Sequence, residues 1–483
     1  MRETSRLASA RPTLTALVCA GALFIHGAVR AYEPATTHAG LTERAVEASR
    51  LHQVLARLGR PLGVLEPLSI GLDLLDQDER RALQARLDAL DPAGGYRPGP
   101  DGVAGAGHWV VAGAVLAKTP PERGANHFLD PASGKGLDDG PGLSGVAHGV
   151  RLLFDGGASV RGLATGTAFT LEGKSALAWI ESPGNDLGVP AFLDNWERAV
   201  SLAELRERES ALVRALLALG GVVAVLQDAG QPAFVRNDFR VAFLQGNDGS
   251  VYERFVAEHY GRTALPPAAA AVSRPDIASF FASADGKGLA NRTQHGFFSE
   301  GTIPADISLN RDTQVTDVVR RARESLAFPS PTVSRLVLRP AQQRRYLAVQ
   351  GRRVLAYESS GTEVHFFLDD AVYADMALSL LPEIAGYAAG LLNHLLRANL
   401  EMAVAGTKVT VRLGGEAKEG GALRVLAEDA SGRRRELRGA AATLAPGDEI
   451  VVDLPAGAKK LAAVLRGRDA SGPFVAAGEV VLP

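Results

Sequence analysis

One acidic residue, Asp228, ends a long apolar stretch and is the first candidate for chemistry. The stretch GGVVAVLQDAGQPAFVRNDF, from Gly220 to Phe239, has a helical first half and stops at Gln-Pro. Burying an unpaired carboxylate is costly, so an acid in this position usually has a partner. A metal ion is one candidate, but metals need several ligands, and the residue one helical turn earlier is Ala224. The sequence around Asp228 is therefore that of a metal site or of the remains of one.

The composition is that of an ordinary soluble globular protein. The chain has 483 residues, of which 46% are hydrophobic and 22% charged. This length corresponds to roughly two or three domains. The net charge of -2 provides no global basic field. We therefore predict no nucleic-acid partner.

The N-terminus has the pattern of a secretory signal peptide. Three arginines precede the apolar run LTALVCAGALFI, and the run ends in AVRA, a small-residue cleavage pattern. We predict cleavage after Ala31, so that residues 1–31 are removed and the mature chain begins at Tyr32. The only cysteine, Cys19, lies in the removed segment, which excludes disulfides and cysteine ligands from the mature protein. We predict a secreted or periplasmic protein with no membrane-spanning segment after cleavage.

Apolar spacing predicts a helical body followed by a β region. The strongest helical pattern covers residues 201–228 and is apolar on nearly every face in its second half, which is typical of a central helix. The last helix is predicted at 380–400. After about Met402 the chain changes to short alternating runs between Gly-rich turns, with DASG at two turns.

These patterns define the predicted fold class. We expect a mainly α protein with a helical domain at 32–402, followed by a small all-β sandwich domain at 403–483. Nothing in the β domain indicates chemistry.

Several segments, in order along the chain, resemble one family. They are TTHAGLTERAV (36–46), GANHFLDP (124–131), ALGGVVAVLQDAGQPAFVRNDF, SVYERFV (250–256), GLANRTQHGFFSEGTI and LLPEIAGYAAGLLNHLLR. The family is that of the secreted bacterial zinc-dependent phospholipases C and the related fungal single-strand nucleases. The resemblance covers roughly residues 32–400 and implies the helical phospholipase C/nuclease-like fold.

The resemblance implies a three-zinc cluster in which a metal-bound water attacks a phosphoester. Carried over by position, five metal ligands remain. They are the side chains of His38, His127, Asp228 and Glu253, and the free amine and carbonyl of Tyr32. In the family the acid at Asp228 bridges two ions.

Four other ligand positions are changed. The acid before the His-Phe loop falls at Ala117 or Lys118, and three histidine positions read Ala224, Phe234 and Gly249. A lysine at the acid position would repel a nearby cation. Because ligand number and geometry dominate zinc affinity, these losses weaken the implied sites severely.

The losses affect the three implied sites unequally. One site keeps only His127 and Asp228, and a second keeps only Glu253. The third keeps His38, a share of Asp228 and the N-terminal groups of Tyr32. The predicted cofactor is at most one or two zinc ions, with no metal as the alternative.

Each retained ligand also has a structural interpretation. Asp228 could cap a helix or pair with an arginine such as Arg236. His38 could be a buried imidazole bonded to Asp228, and His127 a loop histidine that holds backbone. Glu253 could be an ordinary helix acid.

Three functional hypotheses follow. The first is a phospholipase C-like protein that has lost its zinc cluster and binds a phospholipid headgroup or a component of the cell envelope. The second is an active metal-dependent phosphoester hydrolase that uses one or two zinc ions. The third is a scaffold without a ligand pocket. The sequence identifies no catalytic residue.

Overall fold

The computed structural model describes eleven parts of the chain, which are residues 34–88, 90, 98–99, 101–119, 121–137, 173–238, 250–308, 337–338, 344–360, 363–437 and 442–482. The predicted signal peptide, Tyr32 and Gly249 lie outside these residues. The described part combines helices with antiparallel sheets, so its fold class is mixed rather than mainly α. The predicted C-terminal all-β region is confirmed.

Twelve α-helices lie in the described residues. They are α1 Ala39–Ala48, α2 Leu51–Arg57, α3 Gln77–Asp88, α4 Ala106–Leu116, α5 Ala176–Ile180, α6 Val189–Ser201, α7 Leu205–Asp228, α8 Pro232–Val235, α9 Val251–His259, α10 Ile277–Phe281, α11 Leu289–Gly296 and α12 Asp370–Leu395. A π-helical turn, Pro34–His38, leads into α1, and a 3-10 helix covers Pro121–His127.

Fifteen strands lie in the described residues. They are β1 Pro67–Ser69, β2 Val103–Gly105, β3 Ile307–Ser308, β4 Val337–Leu338, β5 Arg344–Val349, β6 Arg352–Ser360, β7 Glu363–Phe367, β8 Ala398–Ala405, β9 Lys408–Gly415, β10 Gly421–Glu428, β11 Arg434–Glu436, β12 Ala442–Leu444, β13 Glu449–Asp453, β14 Lys460–Asp469 and β15 Gly472–Val481. The sheets have the orders β1-β2, β3-β7-β6-β5-β4, β13-β9-β8 and β11-β10-β14-β15, and β12 also pairs with β10.

The central helix α7 forms the core of the helical body, as the sequence predicts. All of its residues from Ser210 to Asp228 are buried except Arg214. Two glycines allow α4 to pack closely against it. A Cβ added at Gly220 would overlap the Val110 carbonyl oxygen, and one at Gly113 would overlap the Leu217 carbonyl oxygen. This close approach brings the end of α4 beside the end of α7.

The C-terminal strands form two sheets around a shared apolar core. Val411 of β9 and Val425 of β10 lie in the same buried cluster although they belong to different sheets. The repeated DASG sequence forms two hairpin turns. In the second, Asp469 pairs with Gly472, whose φ of 110° favours glycine. The alternating runs therefore predicted these strands correctly.

Two parts of the chain differ from the sequence prediction. Helix α12 covers Asp370–Leu395 instead of 380–400. It begins at Asp370 because the Asp369 side chain accepts a hydrogen bond from the Val372 amide and caps the helix. Strand β8 then begins before the predicted boundary at 402/403. The sheet formed by β3 to β7 was not predicted at all.

Helix α7 is also long and apolar enough to cross a membrane by length and composition, which differs from the expectation of no such segment. Its most apolar window is 89% buried inside the protein. Burial on nearly all sides accounts for its apolar composition without a membrane.

Candidate functional site

Four side chains from separate parts of the chain meet at one buried position, which we call the Asp228 cluster. It consists of Asp228, the last residue of α7, with Lys118, His38 and His127. Lys118 follows the C-terminus of α4, His38 ends the π-helical turn, and His127 ends a 3-10 helix. All four are at least 95% buried. Three of the side chains that the resemblance assigns as ligands, those of His38, His127 and Asp228, therefore lie together, with the Lys118 ammonium bonded to the same carboxylate.

The Lys118 ammonium is bonded to the Asp228 carboxylate. Lys118 Nζ lies 3.0 Å from Asp228 Oδ1 and 2.9 Å from Oδ2, and donates to the carboxylate. The ring of Phe234 lies on another side of the ammonium, with its centroid 5.1 Å from Nζ. The Asp228 carboxylate and the face of the Phe234 ring both stabilise the positive charge of Lys118 in these apolar surroundings.

The two histidines lie against the same carboxylate. His127 donates from Nδ1 to Asp228 Oδ2 over 2.6 Å. His38 Nε2 lies 3.2 Å from Asp228 Oδ1. Each carboxylate oxygen thus has one histidine and the Lys118 ammonium as neighbours.

Neighbouring polar groups fix the ring of His38. Its Nδ1 donates to Gln227 Oε1 over 2.5 Å, and Gln227 Nε2 donates to the Thr42 hydroxyl over 2.9 Å. Thr42 in turn donates to the His38 carbonyl over 2.7 Å. This closed set of bonds orients the imidazole toward Asp228 and ties α1 to α7.

Glu253 lies near the Asp228 cluster, but its carboxyl group bonds to Ser250 and Gln231, which are outside that cluster. Its carboxylate accepts from the Ser250 amide, and its amide donates to the Ser250 hydroxyl over 3.1 Å, which makes a capping box at the start of α9. The other carboxylate oxygen accepts from Gln231 Nε2 over 2.8 Å. This arrangement fits the interpretation of Glu253 as a helix acid.

Two of the changed histidine positions, Ala224 and Phe234, are described by the structure and hold apolar side chains. Ala224 packs in a small buried cluster with Ala114 and Ala117. Phe234 stacks on Phe128 with 4.3 Å between ring centroids. At both positions an apolar side chain stands where the resemblance assigns an imidazole.

The pKa shifts describe a compensated charge pair, Lys118 and Asp228, with two uncharged groups, His127 and Glu253, near it. Burial raises the pKa of Asp228, but Lys118, His38 and the bond from His127 lower it further, to well below its usual range. Burial lowers the pKa of Lys118, and the attraction of Asp228 opposes this. Burial lowers the pKa of His127 to about 4 and raises that of Glu253 to about 8. At neutral pH His127 and Glu253 are therefore uncharged.

The geometry of the Asp228 cluster does not fit a zinc ion. A tetrahedral zinc with bonds of about 2.05 Å holds two ligand atoms about 3.3 Å apart. His127 Nδ1 and Asp228 Oδ2 are 2.6 Å apart, the distance of a hydrogen bond. The Lys118 ammonium occupies the space at both carboxylate oxygens. Within the described residues, no group of three or more His, Cys, Asp or Glu side chains could hold a metal ion.

Two buried acceptors next to the cluster have no hydrogen-bond partner among the described residues. They are His127 Nε2 and Gln231 Oε1. Because His127 donates from Nδ1 to Asp228, its neutral ring leaves Nε2 as an acceptor. Buried acceptors of this kind commonly bind an ordered water.

Sequence reasoning found part of this site and missed its centre. The convergence of His38, His127 and Asp228 follows from the resemblance. The predicted contact between His38 and Asp228 is present, but the arginine proposed as a partner, Arg236, instead donates to the carbonyls of Phe297 and Gln294. Lys118 was recognised only as a repelling charge. Its place after an apolar helix was the one available signal.

Comparisons of the chain with protein-family models, curated proteins and solved structures give no match.

Proposed function

We propose that this chain is a non-catalytic relative of the zinc-dependent phospholipases C and single-strand nucleases, with the helical fold of that family and a C-terminal β-sandwich. In this proposal it is a secreted or periplasmic protein that binds a phospholipid headgroup or an envelope component. The observation that carries the proposal is the bond between Lys118 and Asp228.

The first support is the position of the positive charge. The resemblance assigns Asp228 to bridging two zinc ions, and both of its oxygens are within 3.0 Å of the Lys118 ammonium. A cation that bound the same oxygens would meet strong repulsion from this buried charge. The ammonium therefore takes over the charge compensation that the metals would provide.

The second support is the loss of space and ligands around that pair. Ala224 packs against alanines of α4 and of the turn that follows it, and Phe234 covers the ammonium. Both replace histidines in the implied ligand set. The nucleophile of the family reaction is a water bound to the zinc ions. Without those ions and the ligands that hold them, no such water would be held beside Asp228.

The test is hydrolysis by the purified, untagged chain in the presence of zinc. Phosphatidylcholine vesicles and single-stranded DNA serve as substrates, and Asp228→Asn provides the matched control. We expect no hydrolysis above the level of the Asp228→Asn protein. Hydrolysis that a chelator and Asp228→Asn both abolish would overturn the proposal and establish the alternative, an active hydrolase with one or two zinc ions.

A further inference from the structure

A cavity lies at the junction of the helical body and the C-terminal strands. Its volume is about 230 Å³, and no residue of the Asp228 cluster lines it. A cavity of about 150 Å³ holds benzene. By that measure this junction cavity has room for about eight to ten non-hydrogen atoms.

One side of the junction cavity is apolar. Leu58, which follows α2, Trp196 of α6, and Leu205 and Leu212 of α7 line it. Trp196 is buried and packs at an angle on Phe192, with 5.6 Å between ring centroids. This wall can cover a short hydrocarbon or aromatic body.

The lining also contains a buried network of four charged side chains. Arg208 Nη2 lies 3.2 Å from Glu428 Oε2, and Arg434 Nε donates to the same oxygen over 2.8 Å. Arg434 Nη2 donates to Glu479 Oε1 over 2.5 Å. Two guanidinium groups and two carboxylates cancel in charge and hold α7 against β10, β11 and β15.

Two further cations line the junction cavity and are not cancelled there. Lys460 Nζ is 3.8 Å from Glu428 Oε1, and Arg60 Nη1 is 4.0 Å from Glu66 Oε1, both beyond hydrogen-bond distance. Neither side chain makes a closer polar contact with another described residue. They are 38% and 24% exposed, so their donors can reach a ligand in the cavity.

Within the buried network, Arg208 lies close to the positive charge of Arg434. The pKa of Arg208 falls to about 10, first through burial and then through the neighbouring charge of Arg434. An anion in the junction cavity would relieve this repulsion. The lining residues comprise four cationic and two acidic side chains, an excess of two positive charges, and Glu66, outside the cavity, lies beside one of the cations, Arg60. One positive charge remains, which suits a single negative charge in the cavity.

We propose that the junction cavity binds a monocarboxylate with a short hydrocarbon or aromatic body. The carboxylate is held by Lys460 and Arg60, and the body packs against Trp196 and Leu58. A monoanion is favoured over a phosphate dianion because Glu428 also lines the cavity and would repel the second charge. This inference goes beyond the proposed function and holds whether or not the Asp228 cluster takes a metal.

The test is calorimetric titration of the purified chain with straight-chain carboxylates of about four to about twelve carbons. We expect saturable one-to-one binding with an optimum near octanoate, and at least tenfold weaker binding of octan-1-ol and octylamine. Lys460→Met should weaken octanoate binding at least tenfold. Lys459→Met, an exposed neighbour outside the cavity, should leave it unchanged.

Fluorescence locates the ligand. Octanoate should change the tryptophan emission of the wild-type chain, and Trp196→Phe should remove that change. The proposal is overturned if no carboxylate binds the folded chain, if octan-1-ol binds as well as octanoate, or if Lys460→Met and Lys459→Met have the same affinity. An unchanged fluorescence response in Trp196→Phe would also overturn it, because the ligand would then lie elsewhere.

Discussion

Lys118 Nζ lies 2.9 Å from Asp228 Oδ2 and 3.0 Å from Oδ1, and both side chains are removed from solvent. The two residues are 110 positions apart. Lys118 lies two residues beyond the end of α4 and Asp228 ends α7, and these two helices pack closely at Gly113 and Gly220. The pair therefore lies at one end of the close contact between α4 and α7. Its strength depends on both partners being present, since either charge alone would be buried without compensation.

Lys118→Met should destabilise the protein by about 3–5 kcal/mol, because it leaves the Asp228 carboxylate buried without its ammonium while keeping a similar side-chain volume. The measurement is the free energy of unfolding from urea titration monitored by circular dichroism.

The matched control for that variant is a double-mutant cycle with Asp228→Asn. The double variant should recover at least half of the loss, since neither side chain is then charged. Additive losses from the two single variants would show that Lys118 and Asp228 do not form an energetically coupled pair.

Glu253 should make the protein less stable as the pH rises from 6.5 to 8. Its pKa is raised by burial from 4.5 to about 8, so between these values the folded chain keeps a proton that the unfolded chain has lost. His127 acts in the opposite direction, because its pKa falls from 6.5 to about 4 and its effect on stability is complete above pH 6.5. Between pH 4.5 and 6.5 the effects of Glu253 and His127 on stability oppose each other. Above pH 6.5, of these two groups, only Glu253 changes the stability with pH.

The free energy of unfolding of the wild type should fall with pH more steeply than that of Glu253→Gln, by about 1.4 kcal/mol per pH unit. From pH 6.5 to 8 the difference amounts to about 2 kcal/mol. Glutamine keeps the capping box. Urea unfolding at several pH values measures the slope, with Glu258→Gln, an exposed residue of the same helix, as the control. An equal slope in wild type and Glu253→Gln would contradict the raised pKa.

Gly220→Ala should destabilise the protein by about 1–3 kcal/mol through overpacking, although alanine favours an isolated helix by about 1 kcal/mol. The added Cβ would overlap the Val110 carbonyl oxygen, which cannot move without separating α4 from α7. Thermal unfolding of the variant measures the effect. Gly184→Ala, where a Cβ meets no atom within 4 Å, should change stability by less than about 0.5 kcal/mol. Equal effects of the two substitutions would exclude a close helix crossing.

Zinc binding should be restored in part by replacing the residues that close the site. Lys118→Asp combined with Phe234→His removes the ammonium and adds two ligand side chains to His38, His127 and Asp228. We expect the double variant to bind about one zinc ion per chain in calorimetric titration. Ala224 is left unchanged because its contacts with Ala114 and Ala117 leave no room for an imidazole.

The same two substitutions with Asp228→Asn provide the control for zinc binding. This triple variant should lose the gained affinity, because the bridging carboxylate is absent. Zinc binding that survives in the triple variant would place the ion elsewhere and show that the ligand positions are assigned wrongly.

Local sequence patterns predicted the elements whose burial is regular. Helix α7 is apolar around its circumference and the C-terminal strands alternate, so both were found from periodicity. The sheet of β5 and β6 was missed because each strand opens with two arginines, which mask its apolar face. Arg353 is held by a carboxylate from α12, Asp375, with 2.8 Å between the charged atoms, and no local pattern shows such a distant partner.

The Asp228 cluster could be predicted only in part for the same reason. Resemblance to a family placed His38, His127 and Asp228 together, since each lies in a recognisable segment. The bond from Lys118 depends on the crossing of α4 and α7, which two glycines permit but do not specify. The bond between Lys118 and Asp228 is a tertiary contact, and the only local signal for it is the position of Lys118 after an apolar helix.

The central claim is that the Lys118 ammonium, and not zinc, compensates the Asp228 carboxylate. The most direct test is the zinc content of the untagged wild-type chain, produced with zinc in the medium, dialysed against metal-free buffer and measured by inductively coupled plasma mass spectrometry. Because the Lys118 ammonium holds the place of a metal ion at Asp228, we expect the wild-type chain to retain far less than one zinc ion per chain. Two or three zinc ions retained per chain, and lost in the Asp228→Asn variant, would contradict it.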